Sequence, residues 1–407
     1  MNPKEKSNEM QPYLKRYKMK ITALGPIHVG DGKTFNKTGY LYDQKKNRVL
    51  VLDSMKMYSY LEQINKLEQL QDHLLGMGKE PDFFSFLQKE SISEEIWEGW
   101  KSYDYSITVK GKNRLNEIHS FVKDAKGRPY VPGSSIKGMI RTALLAYLAC
   151  NGVEESAKDN CQFHYREKNE QELKSTLRGI AKEKVEKGKK GFRKEEGQLA
   201  SLVFHQLQLE SGNKIIDPSN AVCSIMRGLL VRDSQALSLE NLDLAQKIDL
   251  FSENKREGYY RSSQIVRDNT NSISTFKEVL RPGTEIYFDL ILDSTLFPYS
   301  LDTILKALDY FNEQCYHYHY CSFQRPPSEK GTVWLGGGAG FCTKTVTYPL
   351  LRDDSLEIVS ELLMQNFQNH HHERDKKLGI SPRTTPIFYK GSQIYDHGMG
   401  RIEVVNA

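Results

Sequence analysis

The sequence predicts an α+β fold built from two modules, and three observations lead there. Stretches alternating apolar and polar residues are interleaved with amphipathic helical stretches, without long runs of fully apolar strand. At 407 residues the chain exceeds one ordinary domain. Two glycine-rich elements, Tyr130–Gly138 and Leu335–Phe341, punctuate the two halves about two hundred residues apart. Glycine tolerates positive φ and exposes bare backbone, so each element can let a polyanion approach main-chain N–H groups.

Taken in order, residues 1–16 read as a polar tail, without the apolar core of a signal peptide. Tyr17 to Leu24 alternates Tyr17, Met19, Ile21 and Ala23 against Lys18, Lys20 and Thr22, the pattern of a half-buried strand. Gly25-Pro26 ends it, Gly30-Asp31-Gly32 reads as a turn, and Arg48 to Asp53 as another strand. Residues 54–100 read as a helical insertion, with Met55, Tyr58, Leu61, Ile64 and Leu67 as its apolar stripe. From Ile136 the spacing of Met139, Ile140, Ala143, Leu144, Tyr147 and Leu148 predicts a helix, with Ser134 or Ser135 as N-cap. Residues 151–197 form a second, basic insertion crowded with Lys182, Lys184, Lys187, Lys189, Lys190, Arg193 and Lys194. Met226 to Asp233 reads as a strand closing the first module, which would run over 17–235.

The second module, 236–407, repeats the style. Thr284 to Leu292 alternates as a strand, Leu301 to Tyr316 as a helix, then the glycine loop 336–340. Thr343 to Leu350 reads as a strand and Ser355 to Gln368 as a helix.

Composition narrows the function classes. A formal charge of +5 permits nucleic acid without demanding it, so any affinity must come from local patches. The six cysteines are scattered without a repeated C-x-x-C, which favours reduced thiols in the cytoplasm over a disulfide framework. No apolar run is long enough to span a bilayer.

Several motifs carry candidate chemistry. At Pro132–Gly138 a helix N-terminus, two hydroxyls, Lys137 and Arg141 make either a phosphate seat or an ordinary capped helix. It is not a Walker A loop, because Lys137 precedes the last glycine and no Ser or Thr follows it. Four glycines in five residues at 336–340, flanked by Trp334, Leu335 and Phe341, imply a close backbone approach. His28 and Asp31 would suit acid–base cleavage of RNA, but an Asp-Gly turn beside a structural histidine explains them too. Cys315-Tyr316-His317-Tyr318-His319-Tyr320-Cys321 offers zinc-type ligands, yet even if it were a strand, residues on one face would lie along a line and could not alone close a tetrahedron. His370-His371-His372-Glu373 lacks H-E-x-x-H spacing. No metal or cofactor is expected.

The segments Gly25–Gly30 and Gly127–Gly138 with Arg141 resemble the RAMP superfamily of CRISPR proteins. With Arg281–Glu285, Gly336–Gly340 and Leu378–Thr384, the chain is similar to the fifth Csm subunits of type III-A effector complexes. The resemblance implies two ferredoxin-like (RRM-like) RAMP modules with insertions. It also implies a non-catalytic subunit at the end of the backbone filament, holding the 3′ part of crRNA and supporting its 3′-end maturation. Its expected partners are crRNA, target RNA, neighbouring Csm backbone subunits and cellular ribonucleases that trim crRNA. Carried onto this sequence, the RNA-contact candidates are His28, Gly30, Ser134, Ser135, Lys137, Arg141, Gly336, Gly337, Gly338 and Gly340, with Arg227 and Arg232 behind them. The alternatives are a RAMP endoribonuclease using His28 and Asp31, or an assembly adaptor whose RNA contacts are incidental.

Overall fold

The first alternating stretch forms β1 (Leu14–Ala23), in which Met19, Ile21 and Ala23 are buried. The computed structural model describes residues 13–35, 37–76, 83–107, 115, 117–151, 193–212, 214–252, 270–323, 325–327, 329–390 and 393–405. Most of the expected tail and basic insertion therefore lies outside the described residues. Ahead of the first glycine element come β2 (Gly30–Phe35), β3 (Tyr40–Asp43), β4 (Arg48–Leu52), β5 (Lys101–Ser106) and β6 (Glu117–Phe121). Helices α1 (Ser54–Gln63), α2 (Leu67–Leu75), α3 (Phe83–Lys89) and α4 (Glu94–Glu98) fall between β4 and β5. After them come α5 (Gly133–Asn151), α6 (Arg193–Phe204), the hairpin β7 (Glu210–Ser211) and β8 (Lys214–Ile215), and β9 (Leu229–Val231). Strands β10 (Leu242–Phe251), β11 (Thr270–Leu280) and β12 (Glu285–Asp293) lead to α7 (Leu301–Tyr318) and β13 (Thr332–Trp334). The chain continues through α8 (Thr347–Leu351), α9 (Ser355–Asn366) and α10 (Asp375–Leu378) to β14 (Thr384–Lys390), β15 (Gln393–Asp396) and β16 (Met399–Val404).

The strands assemble into a five-stranded sheet of order β13-β16-β1-β12-β9 and a six-stranded sheet of order β15-β14-β10-β11-β6-β2. This mixed α/β content is the expected α+β class. The expected division at 235/236 does not coincide with the sheets. Ile21 of β1 pairs with Ile286 of β12 on one side and Ile402 of β16 on the other. In the second sheet β6 runs parallel to β11, with Phe276 opposite Ile118. Each sheet draws on both halves because the apolar faces of early strands are completed by late ones. One core accordingly reaches from Met19 to Ile402.

Helices α5 and α7 pack together, with Tyr147 edge-on to Tyr310 at 5.7 Å between ring centres. The helical insertion has its own core, built on Leu41, Leu50, Met57, Leu61, Phe83, Phe86, Trp97 and Trp100. Its buried face differs from the expected stripe: Met57 and Leu61 are inside, while Met55 and Tyr58 are exposed. A three-residue spacing drifts around a helix with 3.6 residues per turn, whereas four-residue spacing keeps closer to one face.

Strands β3, β4 and β5 form a three-stranded sheet against which the insertion packs, and that sheet is fastened to the main body through Glu278, which is fully buried. Its carboxylate accepts from the Tyr103 hydroxyl at 2.8 Å, the Tyr105 hydroxyl at 2.7 Å and the Phe121 N–H at 2.7 Å. The Lys123 ammonium donates to it at 2.5 Å. Charge and lone pairs are both satisfied, which is what burial of a carboxylate requires.

Three further local readings change. Gly30-Asp31-Gly32 opens β2, paired to β6 across an irregular register between Gly30 and Thr34. Thr343 to Leu350 is a short 3-10 turn followed by α8, not a strand. There the Thr345 hydroxyl accepts from the Thr347 N–H at 3.2 Å and turns the backbone, so the Thr-x-Thr alternation is turn chemistry. Met226 to Asp233 begins in a 3-10 turn ending at Gly228, with β9 covering Leu229–Val231 alone.

Candidate nucleic-acid interface

The two glycine elements meet. A cleft of about 420 Å³ is lined by Val29 and Gly30, by Ser135, Gly138, Met139 and Thr142 of α5, and by Gly336, Gly337 and Gly338. Thr332–Trp334 of β13, Thr343, Lys344 and two α7 residues complete its walls. Of the sequence candidates, the cleft gathers Gly30, Ser135, Gly336, Gly337 and Gly338.

The glycine loop is seated on the chain itself. Gly336 has φ +83°, and a Cβ there would lie 2.2 Å from the His28 carbonyl oxygen. The Gly337 N–H donates to that same carbonyl at 2.7 Å. The close approach implied by the sequence is thus made, at Gly336, by the protein's own backbone. Gly340 is likewise packed, against Pro386, while Gly336, Gly337 and Gly338 line the cleft.

His28 lies buried beneath the loop. Desolvation lowers its pKa to about 4, and a hydrogen bond from Nδ1 to the Glu278 carbonyl at 2.7 Å does not compensate. It is neutral at pH 7, with the carbonyl fixing the proton on Nδ1, so it brings no positive charge to the cleft.

The α5 N-terminus differs from expectation. Ser134 and Ser135 sit inside the first turn rather than at the cap, and the Gly133 N–H donates to the Asp233 carboxylate at 2.8 Å. A resident anion already occupies the helix end that an incoming phosphate would need. The usable part of α5 is therefore its flank.

Ser135, Gly138, Met139 and Thr142 follow i, i+3, i+4, i+7 spacing, while Lys137 and Arg141 fall on another side of α5. Desolvation lowers the Lys137 pKa, and the Arg141 guanidinium lies 5.6 Å from the centre of the Phe204 ring. Ser134, Lys137 and Arg141 are not among the cleft's lining residues, nor are Arg227 and Arg232. Arg227 donates to the Val222 carbonyl at 2.8 Å, and Arg232 lies 3.6 Å from Asp289.

The cation that does line the cleft is Lys344, which sequence reasoning passed over. Its side chain keeps solvent contact, yet desolvation lowers its pKa to about 8. Its only sequence signal was a basic residue four positions beyond the last loop glycine.

Asp31 is exposed on β2, and the Ser120 hydroxyl donates to it. Desolvation alone would raise its pKa, but bonds from Ser120 and from the Lys33 N–H at 2.9 Å outweigh that and hold it low. Among the described residues no three His, Cys, Asp or Glu side chains are grouped to hold a metal ion. The Cys315–Cys321 stretch runs from the end of α7 into a 3-10 turn, with Cys315 buried and Cys321 exposed. Among the described residues no helix is long and apolar enough to cross a membrane.

The chain is thus an α+β protein whose open, glycine-walled cleft presents bare backbone, one cation and several hydroxyls. The RAMP superfamily profile matches residues 20–339, and the chain belongs to that superfamily. Within it, the chain is similar to the Csm5 subunit of Enterococcus italicus, at 21% identity over 93% of this chain and 92% of that one. Csm5 of Mycobacterium tuberculosis is 24% identical over 92% and 93% of the two chains. Among solved structures, a chain of the cryo-EM Csm–crRNA–target RNA ternary complex of a type III-A CRISPR-Cas system superimposes with a TM-score of 0.62. It shares 17% identity and covers 96% of this chain and 100% of that one. The crystal structure of T. onnurineus Csm5 gives 0.56 at 16% identity, covering 94% and 99%.

Proposed function

We propose that this chain is a non-catalytic RNA-binding subunit of a type III-A Csm effector complex, holding crRNA along the glycine-walled cleft. The carrying observation is the convergence of Gly30, the α5 flank and Gly336–Gly338 on one concavity. Backbone N–H groups and hydroxyls suit ribose-phosphate, and they carry no sequence preference. In this reading the subunit caps the backbone filament at the crRNA 3′ part in the cytoplasm. It meets target RNA and a neighbouring backbone subunit there, and presents the 3′ end to trimming ribonucleases.

A non-catalytic role is supported by the state of the two candidate catalytic groups. His28 is buried with Nδ1 committed to a carbonyl, and Asp31 is held deprotonated by Ser120. The path β1–α5–β9–β12–α7–β16, with sheet order β16-β1-β12-β9, supports a ferredoxin-like unit closed only by the last strand. The six-stranded sheet is the candidate for the second unit.

Ultraviolet crosslinking of crRNA in the assembled complex, with mapping of the linked peptides, tests the assignment. Links are expected within 29–30, 135–142 and 336–344. Links confined to the helical insertion would overturn it.

A further inference from the structure

On β11, at the tip of the glycine loop, stands Lys277. A Cβ on Gly338, whose φ is +89°, would come within 3.2 Å of the Lys277 Nζ, so the ammonium lies against bare backbone at the cleft edge. Lys277 is half-buried, and among the described residues no carboxylate pairs with it. Its cationic neighbour Lys247 is matched by Asp249 at 3.3 Å. Among the described residues His28 and His397 also feel its charge, and both are neutral at pH 7. His397 is itself buried, and among the described residues its Nε2 has no hydrogen-bond partner. Desolvation, then Lys247, lowers the Lys277 pKa. A lysine drawn partly out of water normally acquires an anion, and the described chain offers none.

We propose that Lys277 and the Gly338 backbone seat a phosphate of the bound RNA at the edge of the cleft. The proposal rests on the RNA-binding reading of the cleft and extends it. The strand would pass over the loop, with Lys344 inside the cleft and Lys277 at the tip. The amino-acid order gives no sign of Lys277, which stands on β11 beside the buried Glu278.

The test is a salt titration of a labelled oligouridylate of about twelve nucleotides on the full chain. For single strands each neutralised phosphate contributes about 0.7 to the slope of log K against log salt. Lys277→Met is expected to lower that slope by about one such increment and to weaken binding roughly fivefold to tenfold near physiological salt. Lys277→Arg should restore both. An equal loss on oligothymidylate is expected, since a phosphate contact ignores the sugar; a loss confined to RNA would overturn phosphate seating. Lys277→Met should melt no lower than the parent, because it relieves an unmatched cation, and clear destabilisation would assign Lys277 a structural role instead. An unchanged slope in Lys277→Met, alongside a reduced slope in Lys344→Met, overturns this proposal and leaves the cleft reading intact. Failure of the parent chain to bind either strand overturns both.

Discussion

Replacing Gly138 by alanine should make the protein more stable and a poorer RNA binder. Gly138 lies in the second turn of α5, on the cleft wall, and an added Cβ meets nothing within 4 Å. A helical glycine costs about 0.8–1.0 kcal/mol against alanine, through greater backbone freedom in the unfolded chain. With no clash to set against it, the substitution should recover roughly 0.5–1 kcal/mol. With a urea slope near 3 kcal/mol per molar, that moves the unfolding midpoint up by about 0.2–0.3 M. The same methyl stands where a ribose-phosphate strand would lie against the helix. Holding the strand about 1 Å further off forfeits one contact of hydrogen-bond strength, about 1–1.5 kcal/mol, or close to tenfold in affinity. Urea unfolding and fluorescence anisotropy with a short labelled RNA read the two effects separately. A variant that is stabilised yet binds RNA as tightly as the parent would remove the α5 flank from the interface. A destabilised variant would contradict the open space beside Gly138.

Three buried histidines should make the fold acid-sensitive. His28 and His319 titrate near 4 and His397 near 3, all lowered chiefly by desolvation. Their stabilising contribution is complete above the unfolded value near 6.5 and is lost as pH falls from there toward 4, by up to about 3 kcal/mol for each of the first two. A urea midpoint that stays flat from pH 7 to pH 5 would refute this. Glu278→Gln should cost about 3 kcal/mol, because it strands the Lys123 ammonium and presents an amide N–H₂ to groups that donate; a loss below about 1 kcal/mol in the same urea titration would show that the tie is dispensable. RNA affinity should fall as pH rises through about 8, where Lys344 loses its proton, and Lys344→Arg should flatten that profile. An unaltered profile in the arginine variant would place the titrating group elsewhere.

The cleft is an economical use of glycine. Gly336 lets the loop sit directly on the His28 carbonyl, and the Gly337 N–H is spent on that contact. The loop is thereby anchored to the segment following β1, which itself lies in the middle of the five-stranded sheet. Its tip is left with Gly338 beside Lys277. Rigid anchoring with an open tip reduces the ordering cost of holding a flexible strand.

Local features were legible in the amino-acid order because their causes are local. The alternation before Gly25 became β1, the stripe from Ile136 became α5, and Leu301 onward became α7. Side-chain periodicity records how each segment meets a core. Glycine clustering likewise marked the positive-φ loop, since backbone strain belongs to single residues. Misreadings arose where two local causes share one pattern. Threonines 343, 345 and 347 alternate like a strand, but the Thr343 hydroxyl donates to the Ala339 carbonyl and the Thr345 hydroxyl accepts from the Thr347 N–H to make a turn. Ser134 and Ser135 resemble an N-cap, yet Asp233, a hundred residues away in sequence, makes the capping contact.

The elements β1, α5 and α7 were therefore written in short stretches of sequence, along with the RAMP resemblance the chain carries. Only folding across long separations decided that β1 is completed by β12 and β16, and that Glu278 ties the insertion down. It also decided that Lys344 and Lys277, rather than Lys137 and Arg141, stand at the glycine cleft. Strand neighbours and helix faces are chosen by burying apolar area between distant segments, and that choice leaves no periodic mark on either one.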